Sequence, residues 1–201
     1  MKDMISVSKM SGKLAGFKAI NFSALDNPFC ERMSQIEGTV CASCYSRRML
    51  LTFRKRAREG WKQNSILMSD DLEDWQLPRF EPESYVRLLS HGELDNLTQL
   101  YNFQKIALLN PETHFTMWTK RVDLIEKADF LEPASNLRII ASSPYIGIKA
   151  EVDHSRIDGV FTVYQKGEVP EDSFHCAGKK CATCMHCYTS RLFSHIGEEL
   201  R

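Results

Sequence analysis

Nowhere does the 201-residue sequence run through the ~18 consecutive apolar residues that a membrane-spanning helix requires, so no membrane partner is expected. It also lacks net charge. Lysine plus arginine (26) equals aspartate plus glutamate (26), which leaves no overall field to steer the molecule toward nucleic acid or an anionic surface. Residues Met1 to Met10 lack the apolar centre of a signal peptide, and a reducing cytoplasm is the expected compartment. No G-x-x-x-x-G-K-[ST] loop, G-x-G-x-x-G turn or G-x-S-x-G elbow is present. Those absences argue against a P-loop NTPase, a nicotinamide enzyme with the usual fingerprint and an α/β-hydrolase. No repeat, proline-rich linker or low-complexity block divides the chain. With 43% hydrophobic residues it can bury a core, and at ~150 residues per domain one compact domain is expected.

What the sequence does have is cysteine, unevenly placed. Cys30, Cys41 and Cys44 form one group and Cys176, Cys181, Cys184 and Cys187 a second, with none between. An odd total of seven in a reducing compartment makes a disulfide framework a poor explanation, and metal is the better one. The second group, C-x4-C-x2-C-x2-C, offers four thiolates, enough to close one centre. Zinc and a 4Fe-4S cluster both fit, with His175 and His186 as substitute ligands. The first group, C-x10-C-x2-C, offers three and leaves a position open, as reactive metal sites require. A zinc site completed by His91 or His186 is the alternative there.

Between the two groups, strands and helices alternate. FKAINFS (Phe17 to Ser23) reads as a strand leading into the cysteine loop Ala24 to Tyr45, and Ser46 to Met68 reads as one helix. Asp70 to Pro82 is a surface connection. Tyr85 to Leu89, His114 to Trp118, Leu137 to Ala141 and Gly159 to Tyr164 read as strands. A helix through Leu97 and Leu108 and a short one at Val122 to Ala128 separate the earlier ones. Such alternation implies parallel pairing, so the expected class is α/β with a partial parallel (β/α) barrel-like core. Residues 1–167 would form that core with its three-cysteine loop. Residues 168–201, including Leu192 to Leu200, would form a metal-tied C-terminal extension of the same compact domain. Ligands of parallel folds bind where strands end, which gathers the cysteine loop, His91-Gly92-Glu93, Thr119-Lys120-Arg121, Ser142-Ser143 and Gln165-Lys166 on one face.

A strand, a three-cysteine loop, a helix and a second strand ending in His91-Gly92-Glu93 resemble the radical S-adenosylmethionine superfamily, although the first cysteine spacing is ten rather than three. More closely, T-V-C-A-S-C-Y (Thr39 to Tyr45), L-S-H-G-E-L (Leu89 to Leu94), N-P-E-T-H-F-T-M-W-T-K (Asn110 to Lys120) and the closing cysteine run are similar to the phage family called gene product 88. The resemblance implies a phage protein of the host bacterial cytoplasm. It would carry one or two 4Fe-4S clusters, bind S-adenosylmethionine and take electrons from a reductant, on a small-molecule or nucleotide substrate. Tyr45, His91, Gly92, Glu93 and Ser142 are then the cofactor-binding candidates, and Glu93 and Lys120 the catalytic ones.

Plainer readings stand beside these. Glu93 would serve equally as a carboxylate at a helix N-terminus, and His91 as a hydrogen-bonding partner. Arg47 to Lys62 carries seven basic residues against one acid, Glu59, which suits either phosphate binding or a solvated outer face. The competing function is a non-catalytic protein stapled by zinc or iron-sulfur that acts on a host protein or nucleic acid. If the two cysteine groups serve separate centres, Cys184→Ala loses stability and metal together, whereas Cys44→Ala stays soluble with about half the metal. Elemental analysis beside thermal melting checks this, and identical metal loss in both variants would mean one shared centre.

Overall fold

A computed structural model describes residues 5–128, 134–152, 155–190 and 193–200. Met1 to Met4 and, within the expected C-terminal extension, Arg191, Leu192 and Arg201 lie outside the described residues. Among the described residues eight strands form one sheet: β1 (Val7–Lys9), β2 (Lys18–Ile20), β3 (Tyr85–Leu88), β4 (His114–Thr119), β5 (Leu137–Ser142), β6 (Gly159–Tyr164), β7 (Phe174–His175) and β8 (Ser194–Glu199). Their order is β1-β2-β3-β4-β5-β6-β8-β7. Only β1 runs antiparallel to its neighbour; every other pair is parallel. The α/β class therefore holds, and the sheet is open, with β1 and β7 at its edges.

Alternation along the strands sorts two faces. Val86, Leu88, Phe115, Met117, Ile139, Ala141 and Val160 turn toward α4 (Leu97–Leu108) and α5 (Val122–Lys127), where they meet Leu100, Phe103, Ile106 and Ile125 in the main core. Asn96 starts α4 by accepting the Gln99 N–H at 3.0 Å. On the other face Ile140, Phe161 and Ile196 form a smaller cluster with Trp118, Phe174, Cys176 and Cys187. Here α6 (Cys181–Cys184) and α7 (His186–Thr189) lie against the sheet, and Thr116 Oγ1 donates to the Cys187 carbonyl at 3.0 Å. The expected C-terminal extension thus contributes β7 and β8 to the sheet, with β8 pairing with β6 along six residues.

Two local expectations change. The cysteine loop contains a helix, α1 (Pro28–Ser34), capped by Asn27, whose side chain accepts from Cys30 N with Pro28 in the first turn. The expected Ser46–Met68 helix is two helices, α2 (Tyr45–Leu51) and α3 (Lys55–Leu67). In one straight helix Leu50 and Trp61 would stand about 16 Å apart along the axis. Instead they share a cluster with Met49, so the chain folds back at Thr52.

The loop after β3 is fixed by close backbone approach. Phe22 N–H donates to the His91 carbonyl at 3.0 Å. Gly92 has φ +81°, and a Cβ on it would sit 2.4 Å from the Phe22 carbonyl oxygen. Both facts require glycine. Gly92→Ala is expected to cost at least about 2 kcal/mol in urea unfolding; a loss within about 0.5 kcal/mol would contradict the contact.

Candidate metal and cofactor centre

The loops leaving the carboxyl ends of β2 to β5 enclose a cavity of about 180 Å³. Cys30, Cys41, Cys44, His91, Gly92, Glu93, Lys120 and Ser142 all line it, together with Ser46, Arg87, Ser90, Trp118 and Phe161. The cysteine loop spans this edge of the sheet. Val40 N–H donates to the Pro144 carbonyl at 2.9 Å and Ile146 N–H to the Gly38 carbonyl at 3.2 Å, so the loop reaches from β2 to the segment after β5. Tyr45 is not brought in. It is 53% exposed on α2, beside Phe53 and Arg48, and does not line the cavity.

Glu93 is a structural hub. Its buried carboxylate accepts from Thr119 Oγ1 at 2.5 Å, Lys120 N–H at 2.8 Å and Leu94 N–H at 2.9 Å. Its carbonyl accepts from Asn27 Nδ2 at 2.9 Å, and Asn27 also caps the Cys30 helix. One residue therefore joins β3, β4 and α1. Glu93 lies just before α4, whose N-cap is Asn96.

The thiols and Lys120 form one electrostatic group. Burial, then the Glu93 charge, raises the Cys30 pKa, and burial raises that of Cys41. Burial alone would lower the Lys120 pKa, but Glu93, Cys41, Cys30 and Cys44 outweigh it and the net shift is upward. A cation held among three thiols offsets charge when they ionise to bind metal. Three sulfur donors around one cavity, with a lysine opposite, suit a cluster that keeps one ligand position open. Among the described residues no group of three or more His, Cys, Asp or Glu is gathered tightly enough to hold a single metal ion.

All four remaining cysteines line a second cavity of about 170 Å³ on the sheet face opposite α4 and α5. The two groups thus border separate cavities. Lys13 Nζ lies 3.5 Å from Cys176 Sγ and 2.7 Å from Glu198. Burial pushes the Cys187 thiol up to about 11, and raises those of Cys176 and Cys181. His186 lines this cavity, stacked on Phe174 at 3.8 Å, whereas His175 does not.

Sequence reasoning missed Ser90, Arg87 and Trp118. The Ser90 hydroxyl is buried without a partner in the first cavity, and its place just before His91 was the available clue. Much of the basic stretch is used internally. Arg58 makes two bonds to Asp26, at 2.9 and 2.8 Å, Arg47 bonds the Ala24 carbonyl at 2.9 Å, and Arg54 bonds Ser11 at 2.9 Å. The Arg47 and Arg58 contacts clamp the cysteine loop. No helix among the described residues is long and apolar enough to cross a membrane. No protein family, curated protein or solved structure matches the chain.

His91 stacks on Trp61 at 4.7 Å, and its Nδ1 lies 2.7 Å from Ser46 Oγ. Burial, reinforced by Arg54 and Arg87, lowers its pKa to about 4. The folded value lies below the ordinary 6.5, so the neutral ring stabilises the fold above pH 6.5, and that contribution is lost as pH falls toward 4. The loss is at most about 3 kcal/mol, reduced by the ring's partial exposure. Urea unfolding at pH 7 and 4.5 should show this fall, and His91→Gln should diminish it; an equal fall in both proteins would assign it elsewhere.

Proposed function

We propose that the chain is a phage-encoded iron-sulfur enzyme of the radical S-adenosylmethionine type. In this reading Cys30, Cys41 and Cys44 hold a 4Fe-4S cluster with one open iron, and the four C-terminal cysteines hold a second, closed centre. The observation that carries it is the shared cavity. The three thiols stand there with His91-Gly92-Glu93, Lys120 and Ser142 at the ends of parallel strands, where a fold of this class binds ligands. The phage origin and host cytoplasm rest on the gene product 88 resemblance.

A bound, reduced cluster of this kind would supply the electron that cleaves adenosylmethionine. The chain's own residues do the rest. Lys120 balances thiolate charge, and Trp118 and Phe161 give the cavity an apolar wall that limits water. The Ser90 hydroxyl supplies an unpaired polar group for the ligand. Glu93, engaged three times by its own chain, positions Lys120 and the Cys30 helix. The open sheet would be the wall of a partial (β/α) barrel, its inner side covered by the four-cysteine segment. The stapled-binder reading has less support, because Arg47, Arg54, Arg58 and Lys62 face contacts within the chain.

Anaerobically reconstituted protein given dithionite and adenosylmethionine is expected to form 5'-deoxyadenosine, and Cys44→Ala to form none. Iron-loaded protein that neither binds adenosylmethionine nor yields this product would overturn the reading.

A further inference from the structure

Arg87 on β3 and Trp118 on β4 line both cysteine cavities. Arg87 is opposite Thr116 in the parallel register, so Trp118 follows two residues along on the same face, and the guanidinium lies 3.9 Å from the indole ring centre. These stacked groups are a common wall. Arg87 is only 9% exposed, and its Nε is buried with no hydrogen-bond partner. Trp118 Nε1 and His186 Nε2 are in the same condition, while the Tyr188 hydroxyl has the Arg87 guanidinium as its neighbour. These three atoms belong to residues lining the four-cysteine cavity.

Buried polar groups are ordinarily paired, so three unpaired nitrogens around one cavity mark a place built for acceptors. The charges agree. Lys13, Arg87 and Lys179 line this cavity against one carboxylate, Glu198, which is itself 2.7 Å from Lys13. Four ionised cysteines around a metal would supply the missing negative charge. A single zinc ion, held tetrahedrally at ~2.3 Å, would offer only the four thiolates as acceptors. A cluster adds inorganic sulfides that face outward on several sides, matching donors spread over β3, β4 and α7.

We infer that Arg87 and Trp118 are positioning residues that hold an anionic, sulfide-containing cluster in the four-cysteine cavity by N–H donation, and so select iron-sulfur over a single zinc ion there. The inference rests on the iron-sulfur reading and specifies its second centre. Positive charge and hydrogen bonds to sulfur favour the reduced, more negative form, so removing them makes reduction harder.

The test uses the full chain carrying Cys44→Ala, which keeps only the second centre, prepared anaerobically. Iron and sulfide are counted and the midpoint potential is read by EPR-monitored titration. One cluster per chain is expected, with the potential moved to more negative values by Arg87→Met. Trp118→Phe keeps a ring but removes the N–H, so its shift should be smaller and in the same direction, and Arg87→Lys should lie closer to the parent. Should Arg87→Met fail to fold, Trp118→Phe decides alone. An unchanged potential in the variants would overturn the roles of Arg87 and Trp118 and leave the cluster standing. Stoichiometric zinc without iron in the parent would overturn the iron-sulfur reading of this centre as well.

Discussion

The buried carboxylate of Glu93 is the interaction on which the site depends. It accepts from the end of β4 through Thr119 and Lys120, while its own carbonyl receives Asn27, the cap of the Cys30 helix. Its neighbours extend the same junction. Gly92 lets the Phe22 backbone come close, and His91 meets Ser46 at the start of α2. Three consecutive residues after β3 therefore register β2, α1, α2 and β4 against one another. A buried carboxylate would be costly if unpaired, and here backbone N–H groups and a hydroxyl satisfy it.

From that junction the distribution of charge and sulfur follows. The first cysteine group lies at the carboxyl edge of the sheet, and the second covers the face away from the main core. Arg87 and Trp118 stand between them. Each cavity holds thiols whose ionisation burial opposes, alongside a cation that favours it: Lys120 in one, Lys13 and Arg87 in the other. Metal binding of the proposed kind would therefore displace protons from both groups, and loading would strengthen as pH rises.

Much of the fold is legible in the sequence. The strands β3 to β6 are short apolar or alternating runs, and α4 carries its own cap and stop, so local pattern agrees with final structure. β8 reads SHIGEE and lacks such a pattern; its pairing with β6 comes from long-range register. Asn27-Pro28 encodes the start of α1 plainly enough to have been found. The turn between α2 and α3 is different, because only the packing of Leu50 against Trp61 demands it. At the site, cysteine spacing and strand ends pointed to the right loops. The task of Glu93 stayed hidden because its partners lie 26 and 27 residues away. Arg87 and Trp118 stayed hidden because strand alternation makes them ordinary outward residues until the C-terminal segment covers that face.

The central claim is that two separate cysteine cavities each hold an iron-sulfur cluster. Native mass spectrometry of the full chain, purified anaerobically and never exposed to chelator, weighs what is bound. The account predicts a dominant species carrying the mass of two 4Fe-4S clusters, about eight iron and eight sulfide atoms. A dominant species carrying one or two zinc ions and no sulfide would contradict it.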